Sequence, residues 1–335
     1  MFGAKKVAVG LAGCGYWGRN LARNLHQMGH LAAVCDPSAK ILKDVKATYK
    51  GVRTCSKIED LLADAKIKAV AIAAPAAQHY EVAKKALLAG KDVFVEKPLA
   101  LRVPEAEELV ELAARKKRIL MIGHILEYHP AIQKLKDFVD SGELGDIHYI
   151  YSHRLNLGQL RSDENALWSL GAHDISVVLH LADEEPYELS ARGEAYKQRG
   201  IEDVVFGFLR FPSGLAAHLH LSWLDPHKER RFTVVGSKRM ATFDDMDIER
   251  KVTVYDKGFD ETSGSYGEYI TRAGDIWSPS IGNREPLRLE CEHFVESVRE
   301  GRTPRSDGAS GLRVVRVLER LQDELELTRR EVAHG

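Results

Sequence analysis

At 335 residues the chain is longer than one ordinary hydrophobic core organises, which predicts two domains. Hydrophobic residues at 44% and charged residues at 29% mark a globular class, and a net charge of -1 gives no electrostatic footprint for nucleic acid or an anionic membrane. A small-molecule partner is the class left.

In chain order, Met1 to Trp17 has the outline of a secretory leader, with Lys5 and Lys6 ahead of an apolar run. Glycines interrupt that run and no small-residue cleavage site follows, so it reads as a strand. Apolar runs then recur as VAVGLAG (7–13), LAAVCD (31–36), GVRT (51–54), KAVAIAA (68–74), DVFVE (92–96) and RILMIG (118–123). Between them Tyr16 to Met28, Ser56 to Leu62, Gln78 to Ala89 and Pro104 to Lys116 carry apolar residues at three- and four-residue spacing. Strands alternating with helices predict a doubly wound parallel sheet, because parallel neighbours need crossover connections. AVAIAAPAA (69–77), the most apolar later run, contains Pro75 and is too short to span a bilayer, so no membrane partner is expected. Cys14, Cys35, Cys55 and Cys291 form no CxxC pair and fit a reducing compartment, the cytoplasm.

Past Gly123 the pattern changes. A helix within GHILEYHPAIQKLKDFVDSGELG leads through a turn to DIHYIYSHRLNLG, a helix from Ala166 to Leu181 and then alternating strands. VVFGFLRF, GLAAHLHLSW, RRFTVVGS and KVTVYD are separated by turn signals such as PSG and GSK at hairpin distances, which predicts antiparallel pairing. Helices near Leu287 to Arg299 and Gly308 to Arg329 close the chain. The fold class is α/β: a parallel-sheet domain over 1–123, then an α+β domain over 124–335 with a large, mostly antiparallel open sheet. VVFGFLRF and GLAAHLHLSW are apolar on both faces, which predicts a homodimer or homotetramer pairing these sheets.

The chemistry gathers at the ends of the parallel strands. Gly13, Gly15 and Gly18 form GxGxxG between the first strand and its helix, and Asp36 ends the second strand about 20 residues on. That set predicts a dinucleotide: Gly13 for the tight turn, Gly15 for approach of the backbone to a pyrophosphate, Gly18 for close helix–strand packing. The Asp36 carboxylate suits the adenosine ribose hydroxyls and repels a 2'-phosphate, which predicts NAD over NADP. Tyr16 and Trp17, within the loop, join the candidate cofactor contacts; Arg19 is consistent with a phosphate contact or a solvated charge. Ala74, Pro75 and His79 follow the fourth strand, and Glu96 and Lys97 follow the fifth, where ligands of open α/β sheets bind. Position alone leaves Lys97 open between a functional amine and a surface charge paired to Glu96. Tyr128 is consistent with contact to the nicotinamide region or with aromatic packing. His218 and His220 share one side of a strand without a third ligand at characteristic spacing, so no metal is expected.

Together GLAGCGYWGRN, AAPAAQH, EKPLA and the later WSLGAHDISVV resemble the glucose-fructose oxidoreductase / inositol dehydrogenase / MocA family across the whole chain. The resemblance implies an N-terminal Rossmann domain and a C-terminal α/β domain whose open sheet often forms an oligomer interface. It places the family's EKP lysine at Lys97 and its late active-site histidine at His173. One position departs: the family commonly has Asp four residues before that histidine, and Ser169 stands here. Oxidation of a secondary alcohol needs a base for the hydroxyl proton and a group that stabilises developing alkoxide, and His173 and Lys97 supply both, in either assignment. On a continuous helix Ser169 lies one turn from His173; its hydroxyl can orient or relay a proton but holds no charge against imidazolium.

Substrate recognition falls to the second domain. Arg154, Asn156 and Trp168 lie before the His173 helix, and Trp223 and Arg231 lie in SWLDPHKERR; guanidinium forks suit phosphates and flat aromatics suit a sugar or base. These segments are similar to the branch of the family whose 3-dehydrogenases oxidise the C3 hydroxyl of UDP-N-acetylglucosamine, or of its uronic acid, in lipid A and polysaccharide assembly. That resemblance implies UDP-N-acetylglucosamine as substrate, the uronic acid next, and coupling to a sugar aminotransferase. The competing readings are a dTDP-sugar ketoreductase, a polyol dehydrogenase and a non-catalytic NAD-binding regulatory module.

Overall fold

Val9–Ala12 (β1) is buried at every position, as a strand covered by helices on both faces must be. In the computed structural model, which describes residues 6–158, 160–261 and 269–334, the chain then alternates as the sequence predicts. Lys5 of the leader-like start and Gln159 lie outside the described residues. The order is Gly18–Gln27 (α1), Leu31–Cys35 (β2), Ala39–Thr48 (α2), Arg53–Cys55 (β3), Ile58–Leu62 (α3), Ala69–Ile72 (β4), His79–Leu88 (α4), Asp92–Glu96 (β5), Val103–Lys116 (α5) and Leu120–Gly123 (β6). The six strands run parallel in the order β3-β2-β1-β4-β5-β6. The order reverses between β1 and β4, and this switch point brings the loops after both strands to one edge. Helix α2 was not expected from the sequence; it buries only Val45, so it has almost no apolar stripe, and the Ser38 hydroxyl caps its start by accepting from the Ile41 N–H.

Two helices from the far end of the sequence complete this unit. Residues 1–128 and 284–316 form one compact unit, and 129–283 with 317–335 the other, whereas the sequence suggested a single cut after residue 123. Pro286–Glu300 (α8 in chain order) packs Leu287, Cys291, Phe294 and Val295 into the core containing Leu11, Phe94 and Met121, with the Phe94 and Phe294 rings 5.6 Å apart. Leu312 and Val315 of Gly308–His334 (α9) join the core of the other sheet face. An apolar stripe on a helix says that the helix has a core to face, and leaves open which core.

The second unit runs through Pro130–Asp140 (α6), Ile147–Leu155 (β7), a π-helical turn at Leu167–Gly171, Ala172–Ala182 (α7), Glu188–Glu194 (β8), Val204–Arg210 (β9), Ala216–Ser222 (β10), Glu229–Gly236 (β11), Met240–Asp244 (β12), Val252–Glu261 (β13) and Tyr269–Trp277 (β14). Its eight strands lie in the order β14-β13-β12-β11-β7-β10-β9-β8. The sheet is mostly antiparallel, with one departure from the predicted hairpin series: β7 inserts between β10 and β11 and pairs with β10 in parallel. The strands β8, β12 and β14 were missed, because ELSARGE, MATFD and YITRAGDIW are short or polar and lack a sustained apolar alternation.

Between sheet and helix, Arg154 of β7 and Asp174 of α7 form a buried ion pair, with the guanidinium Nε donating to both carboxylate oxygens at 3.1 and 2.9 Å and Nη2 to one at 2.9 Å. Burial raises the pKa of Asp174 and Arg154 opposes the shift. Removing one member of such a pair leaves the other charge buried and uncompensated. Asp174→Ala is expected to destabilise this unit by about 3–5 kcal/mol, read as a lower urea midpoint, with Asp174→Asn costing less. An unchanged midpoint for Asp174→Ala would show that the pair contributes nothing.

Candidate active site

The loop after β1 turns because Gly13 adopts φ +88°, a conformation that favours glycine, with the carbonyl oxygen of Ala73 only 2.7 Å from where a Cβ would sit. A Cβ on Gly18 would lie 2.3 Å from the Gly13 carbonyl oxygen, so the first turn of α1 rests directly on the loop. Gly15 has nothing within 4 Å of its Cβ position. Open space at Gly15 beside tight packing at its two neighbours is a backbone cradle. Trp17, at the N-cap of α1, gives the helix no side-chain cap. The buried Asp36 carboxylate accepts from the Cys14 N–H at 2.8 Å and the Ser38 N–H at 2.9 Å, which ties the tip of β2 to the cradle. Arg19 is exposed and lies 3.7 Å from Asp44, the arrangement of a solvated charge.

At the neighbouring strand ends, Ala74 is half-buried and Pro75 exposed. His79 is buried, and its ring nitrogens lie 2.8 and 2.7 Å from the carbonyl oxygens of Ala74 and Pro98. It braces the two strand-end loops against each other, and burial, with help from Lys97, lowers its pKa. Glu96 and Lys97 end β5 partly exposed, and the Glu96 carboxylate accepts from the indole N–H of Trp17. Tyr16 is 94% exposed and Trp17 37%. Tyr128 takes the packing alternative: it is 3% exposed, its hydroxyl lies 3.0 Å from Ser306 Oγ, and its ring stands against Arg305 and His293.

In the second unit His173 follows the π turn as the second residue of α7, half-buried, and Ser169 is buried within that turn. The sequence predicted continuous α-helix here; the wider turn alters the register on which the Ser169–His173 spacing was based. A Cβ on Gly171 would lie 2.9 Å from Leu221 of β10, so the glycine lets this turn approach the sheet. Trp168 and Asn156 are partly exposed. Three candidate substrate residues are engaged within the protein instead: Arg154 by Asp174, Trp223 by burial to 3%, and Arg231 by Asp244 at 2.9 Å and Glu229 at 3.4 Å. His218 and His220 stack in a row with Tyr151, His153 and Phe206 on the sheet. Among the described residues no group of His, Cys, Asp and Glu is placed to hold a metal, and no helix is long and apolar enough to cross a membrane.

Comparison with known proteins matches both halves of the chain. Residues 7–124 match the oxidoreductase family with the NAD-binding Rossmann fold, and residues 132–242 match the GFO/IDH/MocA C-terminal domain. The chain belongs to the GFO/IDH/MocA oxidoreductase family. The chain is similar to UDP-N-acetylglucosamine 3-dehydrogenase of Acidithiobacillus ferrooxidans, 29% identical over 92% of this chain and 94% of that protein. A solved structure of that enzyme superposes with a TM-score of 0.84 at 28% identity, covering 96% of this chain and 98% of that one. The scyllo-inositol 2-dehydrogenase (NAD(+)) of Bacillus subtilis is 25% identical over 89% of this chain and 87% of that protein.

As a GFO/IDH/MocA oxidoreductase the chain carries an NAD-binding domain, and its residues fit that cofactor. The open face of Gly15, the uncapped start of α1 and the anchored carboxylate of Asp36 suit the pyrophosphate and the ribose. Sequence reasoning missed Asp174 and Glu290 as members of the two sites' surroundings. Glu290 was detectable: it shares the Leu287, Cys291, Phe294 face of an amphipathic helix, where a carboxylate is out of place.

The cradle geometry separates two glycines that a motif treats alike. Gly15→Ala should fold normally and lose NAD affinity at least tenfold, because its methyl enters the open space. Gly18→Ala should lower the melting temperature even without cofactor, because its methyl collides with the Gly13 carbonyl. Thermal melts with NAD titration check both, and equal melting temperatures for the two variants would refute the distinction.

Proposed function

We propose that this oxidoreductase uses NAD to oxidise the C3 hydroxyl of UDP-N-acetylglucosamine to the 3-keto sugar, for an aminotransferase to consume in lipid A or polysaccharide assembly. The observation that carries the reading is the likeness to the A. ferrooxidans enzyme over nearly the full length of both chains. Bound NAD supplies the acceptor for the carbon-bound hydrogen. Lys97 and His173 do the acid–base work on the hydroxyl: one takes its proton while the other donates a hydrogen bond to the developing alkoxide. Ser169 orients or relays and carries no charge, so the site is less anionic than in Asp-bearing relatives. Asp36 selects NAD over NADP through the ribose. Asn156 and Trp168, both partly exposed, are the stronger candidates for sugar-nucleotide contacts, while Arg154 and Trp223 shape the site from within.

A second reading, a polyol dehydrogenase, is supported by the scyllo-inositol relative and by the internal pairing of Arg154 and Arg231, which leaves fewer free guanidinium groups for a diphosphate. Single-turnover NADH formation with UDP-N-acetylglucosamine, its uronic acid and scyllo-inositol decides between them. Lys97→Ala and His173→Asn should slow that step by roughly 10²- to 10⁴-fold with NAD affinity within a few-fold, and Ser169→Ala should cost less than either. Full activity in both variants would move the chemistry elsewhere, and no turnover of any of the three substrates would favour the regulatory-module reading.

The protein acts as a homodimer or homotetramer in the cytoplasm. Tyr149, Phe206, Phe208, Ile270 and Ile276 are exposed apolar side chains on strands of the eight-stranded sheet, which supports a second copy as the cover. Light scattering at micromolar concentration should give at least twice the chain mass. A monomer would contradict this assignment.

A further inference from the structure

The parallel-sheet unit holds more buried acid than the proposed chemistry uses. Glu290, on the core stripe of α8, is fully buried, and neither of its carboxyl oxygens has a hydrogen-bond partner. Two other carboxyls face it: Glu96 from the end of β5 and Glu127 from the 3-10 turn Ile125–Tyr128. Burial raises the pKa of Glu290 well above the carboxylate range, and both neighbours raise it further. Cys291 and Tyr128, also beside it, are pushed up by burial and by Glu290 itself, so they stay neutral and add no further negative charge.

Neighbouring buried carboxyls cannot all ionise, and donors decide which one keeps the charge. Glu96 has donors. Burial raises its pKa to about 7, and the Trp17 indole N–H, the Lys97 ammonium and the Lys97 backbone N–H hold it from rising further by favouring the ionised form. Gly123 on β6 makes room for it, since a Cβ there would lie 2.8 Å from Glu96 Oε2. Glu127 is pushed up to about 8 by burial, with Arg305 and Arg313 opposing and Asp307 adding to the rise. Glu290 alone of the three has no donor and no facing cation.

We propose that Glu290 is a positioning residue: a neutral buried acid that keeps the cluster's negative charge on Glu96, beside Lys97. The idea rests on the assignment of Lys97 to the reaction. No bond to carbon changes, and the proton on Glu290 is the one left there by its surroundings. Above the pH at which Glu290 ionises, a second buried charge appears beside Glu96, the carboxylate that neighbours Lys97.

A raised folded-state pKa makes the stabilising contribution of this group complete below the unfolded value near 4 and lost as pH climbs through the folded value. Native protein should therefore melt at progressively lower temperature as pH rises through the range in which Glu290 ionises, and Glu290→Gln, which cannot ionise, should melt with a shallower decline. Infrared spectra of native protein at pH 7 should show a protonated-carboxyl carbonyl band that weakens in Glu290→Gln. Competitive acylation read by peptide mass spectrometry should show the Lys97 amine becoming reactive about one pH unit lower in Glu290→Gln, because the second charge is gone. A native spectrum without a protonated-carboxyl band overturns the proposal even if the variant fails to fold, and so does an unmoved Lys97 profile. None of these readouts needs a substrate. If UDP-N-acetylglucosamine is not oxidised while they come out as expected, the substrate reading falls and this one stands.

Discussion

Contact between the first turn of α1 and the carbonyl of Gly13 is the constraint on which the parallel-sheet unit depends. A Cβ at Gly18 would sit 2.3 Å from that oxygen, so the helix can lie this low over β1 only with glycine at its start. The low position leaves the uncapped amides of α1 at the switch point, where the loop after β4 also arrives; Ala73 in turn crowds Gly13. Asp36 reaches the same place from β2 and takes the Cys14 amide. Three strand ends are thus fixed together, two by close backbone approach and the third by the buried carboxylate of Asp36.

Buried charge is handled in two ways in this chain. In the second unit Arg154 and Asp174 neutralise each other with three hydrogen bonds, and the pair fastens α7, which carries His173, to β7. In the first, acid outnumbers its partners, and burial resolves the excess by holding protons on Glu127 and Glu290. The first solution places a cation against the carboxylate. The second makes the surroundings of Lys97 answer to pH.

Much of this was legible in the sequence where a local rule decides the outcome. The alternation of apolar runs with helical stripes gave the parallel sheet, and the glycine spacing with Asp36 located the cradle, because both follow from steric rules over a few residues. Strand pairing in the second unit was less legible: DIHYIYSHRLNLG does not reveal that it will divide GLAAHLHLSW from RRFTVVGS, since pairing partners are chosen by the assembled sheet. Side-chain roles were least legible. Arginines in a polar segment look equally suited to a phosphate and to a neighbouring aspartate, and only the fold brought Asp174 to Arg154 and Asp244 to Arg231. The π turn before α7 escaped for a related reason: its extra width accompanies the close approach of Gly171 to Leu221, a contact with a strand some fifty residues later.

The bond from the Trp17 indole to Glu96 gives the cradle an optical handle of its own. Of the four tryptophans in the chain, Trp223 is buried in the second unit, Trp168 and Trp277 also belong there, and Trp17 alone stands in the dinucleotide loop. Indole emission depends on the charge and the hydrogen bond at its nitrogen, so light emitted from this one ring reports the protonation of Glu96 and the arrival of a molecule over Gly15. The protein is therefore born with a fluorophore wired to its cofactor loop, and a chain in which Trp168, Trp223 and Trp277 are replaced by phenylalanine would read that loop without any attached dye.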